Sequence, residues 1–92
     1  MAQETTVFTF KISVPFAEWA KGFDSPQADQ MHKATGVTPL YRGVSKDDPK
    51  KVLVIHQHPS GAIEKFLEKN GDWIATHNVD FNSLEQSVWL EE

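Results

Sequence analysis

Ninety-two residues make one domain, residues 1–92, with room for a single hydrophobic core. The net charge is −4 and the Lys and Arg residues are scattered, so no basic stripe offers itself to nucleic acid. Cysteine is absent, which removes disulfides, thiolate nucleophiles and zinc–thiolate sites. The N-terminal Met1-Ala2-Gln3-Glu4-Thr5-Thr6 is polar and unlike a secretory signal, and the longest aliphatic run, Val52–Ile55, is too short for a membrane span. A cytoplasmic protein with no membrane and no nucleic-acid partner is the expectation.

Thr6–Val14 alternates, with Phe8, Phe10, Ile12 and Val14 on one face and Val7, Thr9, Lys11 and Ser13 on the other. Pro15 suits the first position of a helix, and Phe16, Trp19, Ala20 and Phe23 follow at the spacing of one helix face. Asp24-Ser25-Pro26 breaks that helix and starts a second, with Ser25 as cap and Gly36 as stop; Ala28, Met31 and Thr35 continue a buried stripe. Val37–Ser45 reads as a strand that Pro39 assigns to an edge. A turn over Lys46–Lys50 leads to Lys51–His58, whose Val52, Leu53, Val54 and Ile55 suit a central strand.

Ser60 can cap a helix over Ser60–Asn70 that carries Ile63, Phe66 and Leu67, and Asn70-Gly71 ends it. A short helix over Trp73–Asn78, a loop over Val79–Ser83 and a strand over Leu84–Leu90 complete the chain. The order β-α-β-β-α-β with right-handed crossovers predicts an α+β, ferredoxin-like fold. Its sheet is antiparallel, of order 4-1-3-2, with the helices on one face. The helices are expected to cover Phe8, Phe10, Ile12, Val14, Leu53, Ile55, Leu84 and Val88. The other face, with Val7, Val52, Val54 and Trp89, is left without a helix, and that much bare apolar surface predicts a homodimer.

This element order, with His77 on a helix after Trp73, resembles the dimeric α/β-barrel superfamily, which includes antibiotic-biosynthesis monooxygenase-like and haem-degrading proteins. The resemblance implies that two sheets face each other and enclose a small-molecule cavity between their uncovered faces. Of the Asn, Trp and His of the haem-degrading pattern, only a helical His has a counterpart here, because Trp73 shares the helix of His77. More narrowly, FDS (Phe23–Ser25), PLYRGVSKDDPKKV (Pro39–Val52), VIHQHP (Val54–Pro59) and WIATH (Trp73–His77) are similar to short uncharacterised cyanobacterial proteins, a likeness that implies no activity.

His56 and His58 are the leading site candidates. At i and i+2 of a strand they share one face, roughly 6.5–7 Å apart. Parity with Val52 and Val54 assigns them to the helix-free face. Trp89 late in the last strand is expected beside His58, with Thr9 beneath and Tyr41 or Arg42 entering from the edge. Indole and imidazole together suit a small planar ligand. Two histidines bind a metal only with further converging ligands, so no metal is assigned, and no cofactor. Phosphate loops, Gly-x-Ser-x-Gly and His-Glu-x-x-His are missing. The helix bearing Glu64, Lys65, Glu68 and Lys69 in i,i+4 pairs presents a solvated face. Three readings follow: a homodimeric small-molecule-binding module, a cofactor-independent monooxygenase or isomerase with His56 or His58 as base, and a purely structural or protein-interaction dimer.

Overall fold

The computed structural model describes residues 3–90. Its elements are β1 (Glu4–Ile12), α1 (Phe16–Phe23), α2 (Pro26–Thr35), β2 (Thr38–Val44), β3 (Lys51–His58), α3 (Ala62–Thr76) and β4 (Val79–Leu90). The four strands form one sheet in the order β2-β3-β1-β4, the predicted 4-1-3-2 read from the other edge, with all neighbours antiparallel. The arrangement is ferredoxin-like: the helices lie against one face of the sheet and bury its side chains.

Local chemistry accounts for most boundaries. The carbonyl of Pro15 opens α1 by accepting from the backbone N–H groups of Glu18 and Trp19. Ser25 caps α2, its hydroxyl oxygen accepting from the Ala28 N–H at 3.2 Å, with Pro26 in the first turn. Gly36, at φ 74°, ends α2 in the left-handed region. β2 lies at an edge of the sheet as Pro39 suggests, and its register with β3 shifts between Pro39 and Tyr41.

Both ends of α3 and the start of β4 differ from expectation. Ser60 does not cap α3; Gly61 occupies the N-cap at φ 81° and no side chain caps the helix. Asn70-Gly71 does not end it either, and α3 runs on to Thr76. Ile63, Phe66, Leu67 and Ile74 hold one stripe of α3 on the core, while Asn70 donates its side-chain amide to the Phe66 carbonyl. Packing of Ile74 outweighs the roughly 1 kcal/mol that an interior glycine costs. The chain then turns at Asn78, φ 70°, and enters β4 five residues before the predicted start at Leu84.

The core is built from Phe8, Phe10 and Ile12 of β1, Val52 and Val54 of β3, Trp19 and Ala20 of α1, and Ile63 and Phe66 of α3. Trp19 is its hub, stacked on Phe23 at 5.1 Å between centroids and edge-on to Phe10 at 5.6 Å. Val14 and Leu84 pack against this cluster half-buried. Val88 points to the same side of the sheet but is exposed.

The expected faces of β3 are reversed. Phe8 pairs with Val54, Phe10 with Val52 and Thr6 with His56, and directly paired residues share a face. Val52, Val54, His56 and His58 therefore face the helices and are buried, while Leu53 and Ile55 lie half-buried on the open face. That open face carries Val7, Thr9, Leu53 and Ile55 at its centre and Tyr41 and Trp89 toward its two edges.

Candidate functional site

A cavity lies between the sheet and the helices, on the opposite side of the sheet from the open face. It has a volume of about 70 Å³. Its floor is Phe8 and Phe10 of β1 with Val54 and His56 of β3. Trp19 and Phe23 of α1, Ala28, Met31 and His32 of α2, and Phe66, Leu67 and Ile74 of α3 form its walls. Trp73 and His77 close one end beside Val79 and Phe81 of β4. The lining is aromatic and aliphatic apart from its histidines.

His56 and His58 share a face, as their spacing requires, but they do different things. His58 is fully buried and fully satisfied. Its Nδ1–H donates to the Pro59 carbonyl at 2.8 Å, so its Nε2 is the acceptor that receives the Thr6 hydroxyl at 2.6 Å. This closed pair ties β3 to β1 and uses both ring nitrogens of His58.

His56 lines the cavity and meets a residue that sequence reasoning left without a role. His32 of α2 is buried, and its Nε2 lies 3.2 Å from the Nε2 of His56. The other nitrogen of His32, Nδ1, lies 2.7 Å from the Ala28 carbonyl. A carbonyl only accepts, so Nδ1 carries the proton and Nε2 of neutral His32 is an acceptor. His56 must then donate from Nε2, which leaves its Nδ1 as a bare lone pair. Among the described residues, that Nδ1 is the buried side-chain polar atom with no hydrogen-bond partner. The signal for His32 was present in the sequence: it stands four residues after Ala28, on the flank of the stripe that α2 buries.

Burial holds both rings neutral. It is the main cause that pushes the His56 imidazole down to about 3, with the neighbouring His32 and His58 rings adding to it. Burial also lowers His32, against the raising effects of its bond to Ala28 and of nearby Asp29. Phe8, Phe23 and Phe66 surround His56 with ring centroids 5.8, 6.2 and 5.9 Å away.

His77 stacks on Trp73 at 3.8 Å between centroids and donates from Nδ1 to the Trp73 carbonyl at 2.7 Å. Gly22 of α1 passes so close that a Cβ there would stand 2.7 Å from Cδ2 of His77. A side chain there would have to displace the His77 ring, so glycine lets α1 pass this close to it.

The remaining predicted site residues are not at this cavity, and they do not converge with His56 and His58. Thr9 and Tyr41 lie on the open face, where they border a shallow depression of about 350 Å³. Tyr41 folds over Gly43, its hydroxyl 2.6 Å from where a Cβ would be. Trp89 is exposed on the same face and donates its indole N–H to Ser87. Arg42 points to the helix side and forks onto Asp24 at the end of α1, with Nε 2.9 Å from Oδ1, while its guanidinium lies 5.5 Å from the Phe16 ring. It closes the seam between β2 and α1. Among the described residues no three His, Asp or Glu gather as a metal site, and no helix is long and apolar enough to cross a membrane.

Comparison with known proteins gives a family and a fold. The model of a family described as a domain of unknown function (DUF3764) matches residues 3–91. No curated protein matches the chain. Among solved structures, the chain is similar to a NIPSNAP family protein from Agrobacterium tumefaciens, at a TM-score of 0.68 and 14% identity over 98% of this chain and 93% of that one. It is also similar to SnoaB, a cofactor-independent oxygenase from Streptomyces nogalater, at 0.65 and 15% over 100% and 95%. A third is a dimeric ferredoxin-like protein from an uncultured marine organism, at 0.63 and 8% over 100% and 90%. At these identities the likeness shows the fold alone.

Proposed function

The chain belongs to the DUF3764 family, and we propose that it is a homodimeric small-molecule-binding module whose site is the helix–sheet cavity. One observation carries the reading: His56 lines a largely aromatic cavity, and its buried Nδ1 has no hydrogen-bond partner among the described residues. Apolar pockets with a few placed polar groups are the usual form of a small-molecule site. A purely structural core has no use for an orphaned acceptor, which costs stability.

The same atom argues for binding over turnover. A general base works best with a pKa near the operating pH. Burial lowers the His56 imidazole to about 3, so roughly one molecule in ten thousand would hold a proton there at pH 7. His56 can accept a hydrogen bond but is a poor proton acceptor, which weakens the reading as a cofactor-independent monooxygenase or isomerase.

The homodimer rests on the open face. Val7, Leu53 and Ile55 form an apolar centre with no helix above them, and exposed Tyr41 and Trp89 flank it. A second copy would cover that face and complete an α/β barrel, with Thr9, Tyr41 and Trp89 as interface residues. The cysteine-free sequence suits a reducing cytoplasm. Native mass spectrometry of protein purified from its own host tests both parts. The expected result is twice the 10.4 kDa chain mass plus a small organic molecule. A bare monomer, together with no shift of His56 or Phe66 resonances on titration with a panel of small aromatic compounds, would sink the proposal.

A further inference from the structure

We infer that the ligand of this cavity is a neutral, single-ring molecule that presents one hydroxyl or N–H donor, and that His56 Nδ1 receives it. The inference rests on the cavity being the binding site and goes further by fixing the direction of its hydrogen bond.

The direction follows from a relay of three groups. The Ala28 carbonyl accepts from His32 Nδ1, so His32 Nε2 accepts from His56 Nε2, so His56 Nδ1 is an acceptor. No other distribution of protons over two neutral rings satisfies the 2.7 Å and 3.2 Å contacts together. A backbone carbonyl on α2 thus sets the polarity of an atom on β3.

Water does not resolve the orphan well. An ordered buried water needs two to four polar partners, and the side chains packed around the His56 ring, Phe8, Phe23 and Phe66, supply none beyond the already paired His32. A ligand that brings its own apolar body and one donor satisfies both requirements. An ether, ketone or carboxylate would set acceptor against acceptor. A carboxylate or an ammonium would also carry charge into surroundings that already keep two imidazoles uncharged. The rings around His56 favour a flat body that stacks or meets them edge-on. Size sets the upper limit: about 70 Å³ is roughly half of a cavity known to take up benzene. One ring enters if half-buried Met31 and Leu67 yield, and fused rings do not.

Phenol, toluene and anisole are the probes. Their dissociation constants are measured at pH 7 by NMR titration of the wild-type protein, and the His56 ring nitrogens are followed by ¹⁵N shift. One neutral hydrogen bond predicts phenol about tenfold tighter than toluene, anisole no tighter than toluene, and a phenol-dependent shift of Nδ1. In His56→Phe the phenol preference disappears while toluene still binds. If that variant does not fold, the Nδ1 shift of the wild type decides alone. Phenol and toluene binding equally in the cavity, with Nδ1 unmoved, overturns the donor inference and leaves the cavity standing as a site. No shift of any cavity resonance by any of the three overturns both.

Discussion

The two faces of the sheet carry similar aliphatic side chains and differ in what meets them. On the covered face, Val52, Val54, Phe8 and Phe10 are closed over by three helices and are almost without solvent exposure. On the open face, Val7, Leu53 and Ile55 are equally apolar and remain half-exposed, with Trp89 at 62%. Polarity runs against intuition: the histidines are on the dry side and the bare apolar residues on the wet one. The chain alone accounts for the covered face. The open face is the one that the proposed second copy would cover.

Adjacent residues of β3 give the sharpest way to break this contrast. Val54→Asp places an unpaired carboxylate in the core and is expected to unfold the protein, with a loss above about 4 kcal/mol. Ile55→Asp, one residue on, is expected to keep the circular dichroism spectrum and to turn the dimer into a monomer in sedimentation. Equal effects of the two would erase the distinction between the faces. The tryptophans repeat the contrast at smaller scale. Trp19→Ala should cost about 3–5 kcal/mol in urea unfolding, and Phe66→Ala a similar amount. Phe16→Ala should cost less, about 1–2 kcal/mol, because its ring is only partly covered. Trp89→Ala should change the stability of the isolated fold by under about 0.5 kcal/mol and weaken association instead.

Acid probes the histidines of the covered face. His56 and His32 have folded-state pKa values below the ordinary one, so the unfolded chain binds more protons as pH falls. The stability they contribute is present in full above about pH 6.5 and is lost as the pH falls, for His56 down to about 3. For His56 alone the slope approaches about 1.4 kcal/mol per pH unit, or roughly 2 kcal/mol between pH 6.5 and 5. His32, His58 and, through His32, Asp29 are the charged or titratable neighbours that shape this curve. Urea midpoints of wild type and His56→Leu across that range check it: the variant should lose most of the dependence. A small effect on the covered face is expected at Thr6→Val. It removes the donor to His58 Nε2 and should cost about 1–2 kcal/mol, with ligand binding unchanged.

Much of the fold could be read from residues with one obvious use. Ser25-Pro26 starts α2, Gly36 stops it, and Lys51–His58 begins and ends where its pattern says. The facing of β3 could not be read the same way. Val52-Leu53-Val54-Ile55 is apolar at every position, so alternation does not choose a face, and the polarity of His56 and His58 argues for the wrong one. The choice is made across the sheet, where Phe8 pairs with Val54, and pairing register is not written in a single strand. The site was half visible for the same reason. His56 stood out by type, whereas His32, 24 positions away, becomes its partner only once α2 lies across β3. Gly71 shows the converse, a residue with an obvious local meaning that packing overrides.

The two rims of the sheet are unequally guarded. β2 carries Pro39, which has no N–H to offer, and an irregular register beside it, both of which discourage another strand from adding on. β4 is long, and its last described residues, Ser87, Val88, Trp89 and Leu90, are exposed and uncharged. Such a rim is a template for further strands. Concentrated or partly unfolded preparations should therefore grow aggregates from β4 outward, and a lysine at position 88 is the simplest change for keeping the protein in solution.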